Sequence, residues 1–191
     1  MKKMIITAAL LQGLCVTGPV FARTAPSAGN LTPVELRCEY ARNPLGVDAA
    51  HPHLSWMLKS RKRKQSQTAF RIIVASSREI LAENKGDLWD TQKVRSDETI
   101  RIYYRGRPLK SSQRVFWKVQ VWDDNGSASS WSRAASWTMG LLDKADWQAK
   151  WIAANRTEKD PLPIFRKSFR LGKSVKDAII HICGLGHYEL L

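Results

Sequence analysis

Hydrophobic and polar residues alternate most cleanly over residues 114–122, R-V-F-W-K-V-Q-V-W. Val115, Trp117, Val119 and Val121 share one face, while Phe116, Lys118, Gln120 and Trp122 share the other. That period of two predicts a strand with one face in a core. Asp123-Asp124-Asn125-Gly126 follows at once. Asn-Gly accepts positive φ at both central turn positions, so a tight hairpin is expected. The returning segment, residues 128–139, carries Trp131 and Trp137.

The same pattern recurs upstream. Residues 34–40 alternate and predict a first strand, and Pro44 and Gly46 punctuate a turn over 43–48. Residues 54–58 predict a second strand, with Pro52 outside its start, where a missing N–H does least harm. A third, rich in β-branched residues, is expected over 68–75. Ser77 then caps a short helix over 78–84, with Gly86 beyond its end. Residues 88–90 with Val94, and residues 100–104, predict brief edge strands. About seven short strands with one helical insertion make an all-β domain, a fibronectin type III/immunoglobulin-like sandwich of roughly a hundred residues.

After a linker at 141–146 a second unit begins at Trp147. Strands are expected over 164–171 and 175–183, and Gly184-Leu185-Gly186 ends the second. Two or three strands in about 45 residues cannot enclose a core, so residues 147–191 read as an incomplete domain. The sandwich itself occupies 31–140.

Composition alters this picture in three places. The formal charge is +14, from 31 basic and 17 acidic residues, which in isolation suggests an anionic partner. The start of the chain redirects that reading. Lys2-Lys3, an apolar run to Val16 and the small residues Val20 and Ala22 flanking Phe21 make residues 1–22 a secretory signal peptide. A polar, mobile leader follows over 23–30. The chain is thus expected in the periplasm or outside the cell. No stretch is long enough to span a membrane, and the basic run 59–64 is expected to be a solvated hairpin loop rather than a nucleic-acid patch. Cys38 and Cys183 remain after cleavage, and both are expected as buried thiols. There is no C-x-x-C pair, so neither zinc nor redox chemistry is supported, and no cofactor is implied.

Three blocks together resemble one family, the bacterial α-L-rhamnosidases. The first joins L-R-C-E-Y at 36–40, N-P-L-G-V-D at 43–48 and L-S-W at 54–56. The second joins residues 67–77, L-W-D at 88–90 and residues 116–123. The third joins residues 147–152, F-R-K-S-F at 165–169 and G-L-G-H-Y-E-L at 184–190. The resemblance implies that residues 147–191 begin a jelly roll like those of carbohydrate-binding modules. It implies an inverting glycoside hydrolase acting on terminal α-L-rhamnosyl residues, with its two carboxylates roughly 6.5–9.5 Å apart. The family draws both from a helical barrel that has no counterpart in this sequence, so no catalytic residue is carried over. A non-catalytic N-terminal portion is the expectation, with rhamnose-containing glycans and the enzyme's other domains as partners. A free-standing exported carbohydrate- or surface-binding module is the alternative.

Among local candidates, Glu35 and Glu39 stand four positions apart and would share a strand face, yet surface glutamates explain them better than an acid/base pair. His51-Pro52-His53 has two imidazoles without a third metal ligand nearby in sequence and reads as a strand-entry loop. No G-x-S-x-G elbow is present. For sugar stacking or domain docking, the candidates are Trp89, Tyr104, Trp122 and Trp131, which lie near strand ends or on the less apolar face; docking is the favoured role.

Overall fold

The computed structural model describes residues 29–155, 163–175 and 177–190; the expected signal peptide and most of the leader lie outside them. Among these residues, eight strands and one α-helix follow in order. They are β1 (Leu31–Cys38), β2 (His53–Ser60), β3 (Gln67–Ala75), α1 (Arg78–Ala82), β4 (Trp89–Asp90), β5 (Val94–Arg95), β6 (Ile102–Tyr103), β7 (Arg114–Asp123) and β8 (Ala135–Thr138). β1, β2 and β6 form a three-stranded antiparallel sheet. β4, β3, β7 and β8 form the second sheet, with β5 also pairing to β3.

The alternation read from β7 decides the core. Val115, Trp117, Val119 and Val121 are all fully buried, packed with Leu54 and Trp56 of β2 and with Phe70, Ile72 and Val74 of β3. The alternation of β3 is masked because both its faces are covered. Ile73 and Ala75 point away from the main core and meet Leu81 of α1, with Phe116 and Trp131 beside them. The Ser77 side chain accepts from the Ile80 N–H, so the helix begins where its cap predicts. It is short, ending at Ala82 with Glu83 as C-cap.

Five expectations are corrected. The turn after β7 is not a two-residue Asn-Gly hairpin. Gly126 donates its N–H to the Asp123 carbonyl at 2.9 Å, which places Asp124 and Asn125 at the centre of the turn. Gly126 alone of the three has positive φ, at 74°, as in a type I turn closed by a left-handed glycine. Asp123 imposes this choice, because its carboxylate accepts from the N–H groups of Asn125 (3.1 Å) and Ser127 (2.9 Å). The return segment is also mostly irregular. β8 pairs with β7 only over Arg114–Trp117; farther along, the Ser132 and Ser129 hydroxyls take the N–H groups of Val119 and Val121, both at 3.1 Å.

The basic run does not close a hairpin. It leads from the end of β2 in one sheet toward β3 in the other, and Arg61, Lys62, Arg63 and Lys64 are exposed. The strands expected at 164–171 and 175–183 do not form among the described residues, where the backbone has no sheet partner. Cys183, placed in that segment, is exposed, whereas Cys38 is 1% exposed. Burial, and then the charge of Glu39, push the Cys38 thiol up to about 12. Iodoacetamide at pH 8 is therefore expected to label Cys183 in the folded protein and Cys38 only after denaturation, since the thiolate is the nucleophile. Equal labelling of both in the folded state would contradict the packing of β1.

Candidate functional site

The four aromatic candidates separate into two groups. Tyr104 is 1% exposed. It packs edge-on against Trp89 (5.3 Å) and Trp137 (5.7 Å), and its hydroxyl donates to the Arg107 carbonyl at 2.7 Å. Burial pushes that hydroxyl up to about 12. Tyr104 is a core residue and presents no face to a sugar. Trp89 is half-buried against the same cluster.

Trp122 and Trp131 lie on the outer face of the larger sheet, under cations. Lys93 Nζ sits 4.6 Å from the Trp122 ring centroid. Lys118 Nζ (5.2 Å) and the Arg71 guanidinium (5.8 Å) meet Trp131, while Arg78 and Arg114 meet Phe116 at 4.8 and 5.8 Å. Each such contact contributes about 0.5–2 kcal/mol, depending on desolvation. Lys118 is 8% exposed and its ammonium donates to Asn84 Oδ1 at 2.6 Å; burial holds it below the ordinary lysine range. Arg71 makes a bidentate pair with Asp90, at 3.0 and 2.7 Å, which holds that carboxyl low. On this outer face Trp122, Trp131 and Phe116 each carry at least one cation beside the ring.

The glutamate pair does not form either. β1 carries a register irregularity between Val34 and Arg37, and Glu35 has a φ of 55°. The bulge cancels the same-face spacing, and Glu39 lies beyond the strand end. Glu35 pairs with Arg42. Glu39 Oε1 instead accepts from the His53 backbone N–H (2.8 Å) and pairs with His53 Nδ1 (2.7 Å). His51 turns elsewhere, its Nδ1 standing 3.1 Å from the Tyr104 carbonyl oxygen. The two imidazoles therefore have separate partners.

A different surface gathers exposed aromatic rings. Tyr40 and Tyr103 are 67% and 52% exposed, and both rings meet His53. The Tyr40 ring meets the imidazole edge-on at 4.5 Å, and Tyr103 lies 6.1 Å from it. Tyr103 is the direct β6 partner of His53 on β2, so the two side chains share the outer face of the smaller sheet. Exposed Met57 continues that face two residues beyond Ser55. Positive φ at Glu39 (48°) and Tyr40 (64°) turns the chain as β1 ends. Sequence reading passed over Tyr103 because it adjoins Tyr104, and in a strand adjacent residues point to opposite faces.

Residues 33–143 match the family model described as the Rha78A-like, N-terminal immunoglobulin domain. An α-L-rhamnosidase of Streptomyces avermitilis is 47% identical over 116 residues, covering 61% of this chain and 11% of that protein. One from Formosa agariphila is 36% identical over 170 residues, covering 77% of this chain and 18% of that protein. The solved α-L-rhamnosidase from Dictyoglumus thermophilum superposes with a TM-score of 0.63 at 39% identity, covering 68% of this chain and 14% of that one. The chain thus spans less than a fifth of the length of these relatives.

Proposed function

The chain belongs to the family of Rha78A-like N-terminal immunoglobulin domains, and from that footing we propose that it is the non-catalytic N-terminal support module of an exported α-L-rhamnosidase-type glycoside hydrolase. The observation that carries this reading is the match over residues 33–143, which coincides with the two-sheet sandwich. The relatives are named as α-L-rhamnosidases, so the glycans served are rhamnose-containing and the direct partners are the enzyme's other domains. The carboxylates of Glu35, Asp90 and Asp123 are committed to structural contacts, and Glu39 is held through Oε1 by His53, which supports a module without acid/base chemistry of its own.

Beyond the sandwich, Trp151, Ile164, Phe169, Ile180 and Leu185 are 66 to 89% exposed. Such a run of uncovered apolar side chains supports docking against another domain. The basic n-region, apolar run and Val20-Phe21-Ala22 site support export, with the mature chain beginning at Arg23.

The purified chain is expected to release no 4-nitrophenol from 4-nitrophenyl α-L-rhamnoside. Turnover that copurifies with the chain would overturn the non-catalytic assignment. Amino-terminal sequencing of the exported protein is expected to start at Arg23; recovery of Met1 from the periplasm or medium would remove the signal-peptide reading.

A further inference from the structure

We propose that the outer face of the smaller sheet is a glycan-binding subsite, where Tyr40 and Tyr103 meet His53 and receive an acidic pyranoside ring. This rests on the face itself and stands apart from the support-module reading.

The rings supply the first requirement. A pyranose presents an apolar C–H face that packs on an aromatic ring, while its hydroxyls seek nearby polar groups. Tyr40 and Tyr103 are more than half exposed, in contrast to Trp122 and Trp131, which are half-buried beneath cations. His53 meets both rings, with a side chain only 13% exposed. Its Nδ1 pairing with Glu39, together with the edge-on Tyr40 contact, fixes the imidazole. A held imidazole beside two open rings requires little ordering when a ligand arrives.

Polar groups supply the second. Glu39 uses Oε1 for both contacts with His53. Among the described residues its Oε2 has no hydrogen-bond partner, so it can accept from a sugar hydroxyl.

Charge selects the ligand class. Tyr103 sits within R-I-Y-Y-R-G-R, with exposed Arg101 and Arg105 two positions to either side. Arg37, also exposed, holds the Tyr40 loop by donating to the Tyr40 carbonyl at 3.2 Å. Against these stand Glu39, paired with His53, and Glu35, paired with Arg42. The exposed charges on these segments are therefore net cationic, as is the whole chain at +14. A uronate-bearing glycan satisfies both the rings and the arginines; a neutral sugar leaves the arginines unused.

Isothermal titration of the full chain tests this with three probes: linear tetragalacturonate, maltotetraose and free L-rhamnose. Saturable heat is expected with tetragalacturonate, weakening as salt rises because surface charges are screened. Tyr103→Ala and Tyr40→Ala are each expected to weaken it at least roughly tenfold, about 1.4 kcal/mol, with an unchanged thermal midpoint. Arg105→Glu, which leaves the aromatic rings in place, is expected to weaken it similarly. Absence of saturable heat with tetragalacturonate overturns the proposal, as does equal affinity in wild type and both tyrosine variants. Equal affinity for maltotetraose overturns the acidic-ligand assignment.

Discussion

Trp117→Ala is expected to lower the stability of the sandwich by ~3–5 kcal/mol, the usual cost of deleting a large buried aromatic. Trp117 is fully buried on the inner face of β7. β7 pairs with both β3 and β8, and Trp117 itself is in register with Val74 on one side and Ala135 on the other. A cavity there cannot be filled by a loop, because both neighbouring strands hold the backbone in place. The indole N–H is buried without an acceptor, so Trp117→Phe removes an unmet donor along with volume. It is expected to cost clearly less than the alanine change. Urea denaturation followed by far-UV circular dichroism measures both; a loss below about 1 kcal/mol for Trp117→Ala would move the residue out of the core.

The second large effect is expected at Asp123, which is 1% exposed. Its side chain accepts from the N–H groups of Asn125, Ser127 and Asn30. One carboxylate therefore shapes the turn and ties down the chain just before β1. Burial raises its pKa, but the backbone hydrogen bonds from Ser127, Asn30 and Asn125 outweigh that and hold it below the ordinary carboxylate value. Hydrogen bonds to a charged group contribute about 1.5–3 kcal/mol each when taken singly, and less than additively in a cluster. Asp123→Ala is thus expected to cost ~2–4 kcal/mol at pH 7.

The sign of the pH dependence follows from that depression. A carboxyl with a lowered folded-state pKa adds stability that is fully present above its unfolded value, near 3.8. The contribution is lost as pH falls through the folded value. The gap between wild type and Asp123→Ala is therefore expected to be widest at neutral pH and to close toward pH 2. Denaturant midpoints at pH 7 and pH 2.5 check this. A gap that stays constant would mean the side chain acts through its shape rather than its charge.

The parts of the fold legible in the sequence are those where burial has one cause. Val115, Trp117, Val119 and Val121 alternate because a single core faces them, and the Ser77 cap and Pro52 boundary are local. The missed features depend on chemistry at longer range. Asn125-Gly126 reads as a two-residue turn until the Asp123 carboxylate is seen accepting from the following amides. Glu35 and Glu39 appear to share a face until the bulge is known. The exchange between Tyr103 and Tyr104 is the most instructive. Period-two logic says that one of the pair is buried, but only the His53–Tyr103 register says which. Composition could not anticipate that the tryptophans of the outer face would lie under lysine and arginine side chains drawn from β3, β7 and the loop after β4.

The serine hydroxyls that cap Val119 and Val121 have a bearing on solubility. A regular strand over 128–134 would leave a straight row of amides and carbonyls facing outward, a template onto which another polypeptide could add. Instead, Ser129 and Ser132 close the β7 donors from within the same chain, and their own N–H groups bond back to the Val121 and Val119 carbonyls at 2.8 and 2.9 Å. The regular ladder ends at Trp117, and past it these β7 amides and carbonyls are satisfied within the chain rather than left facing outward.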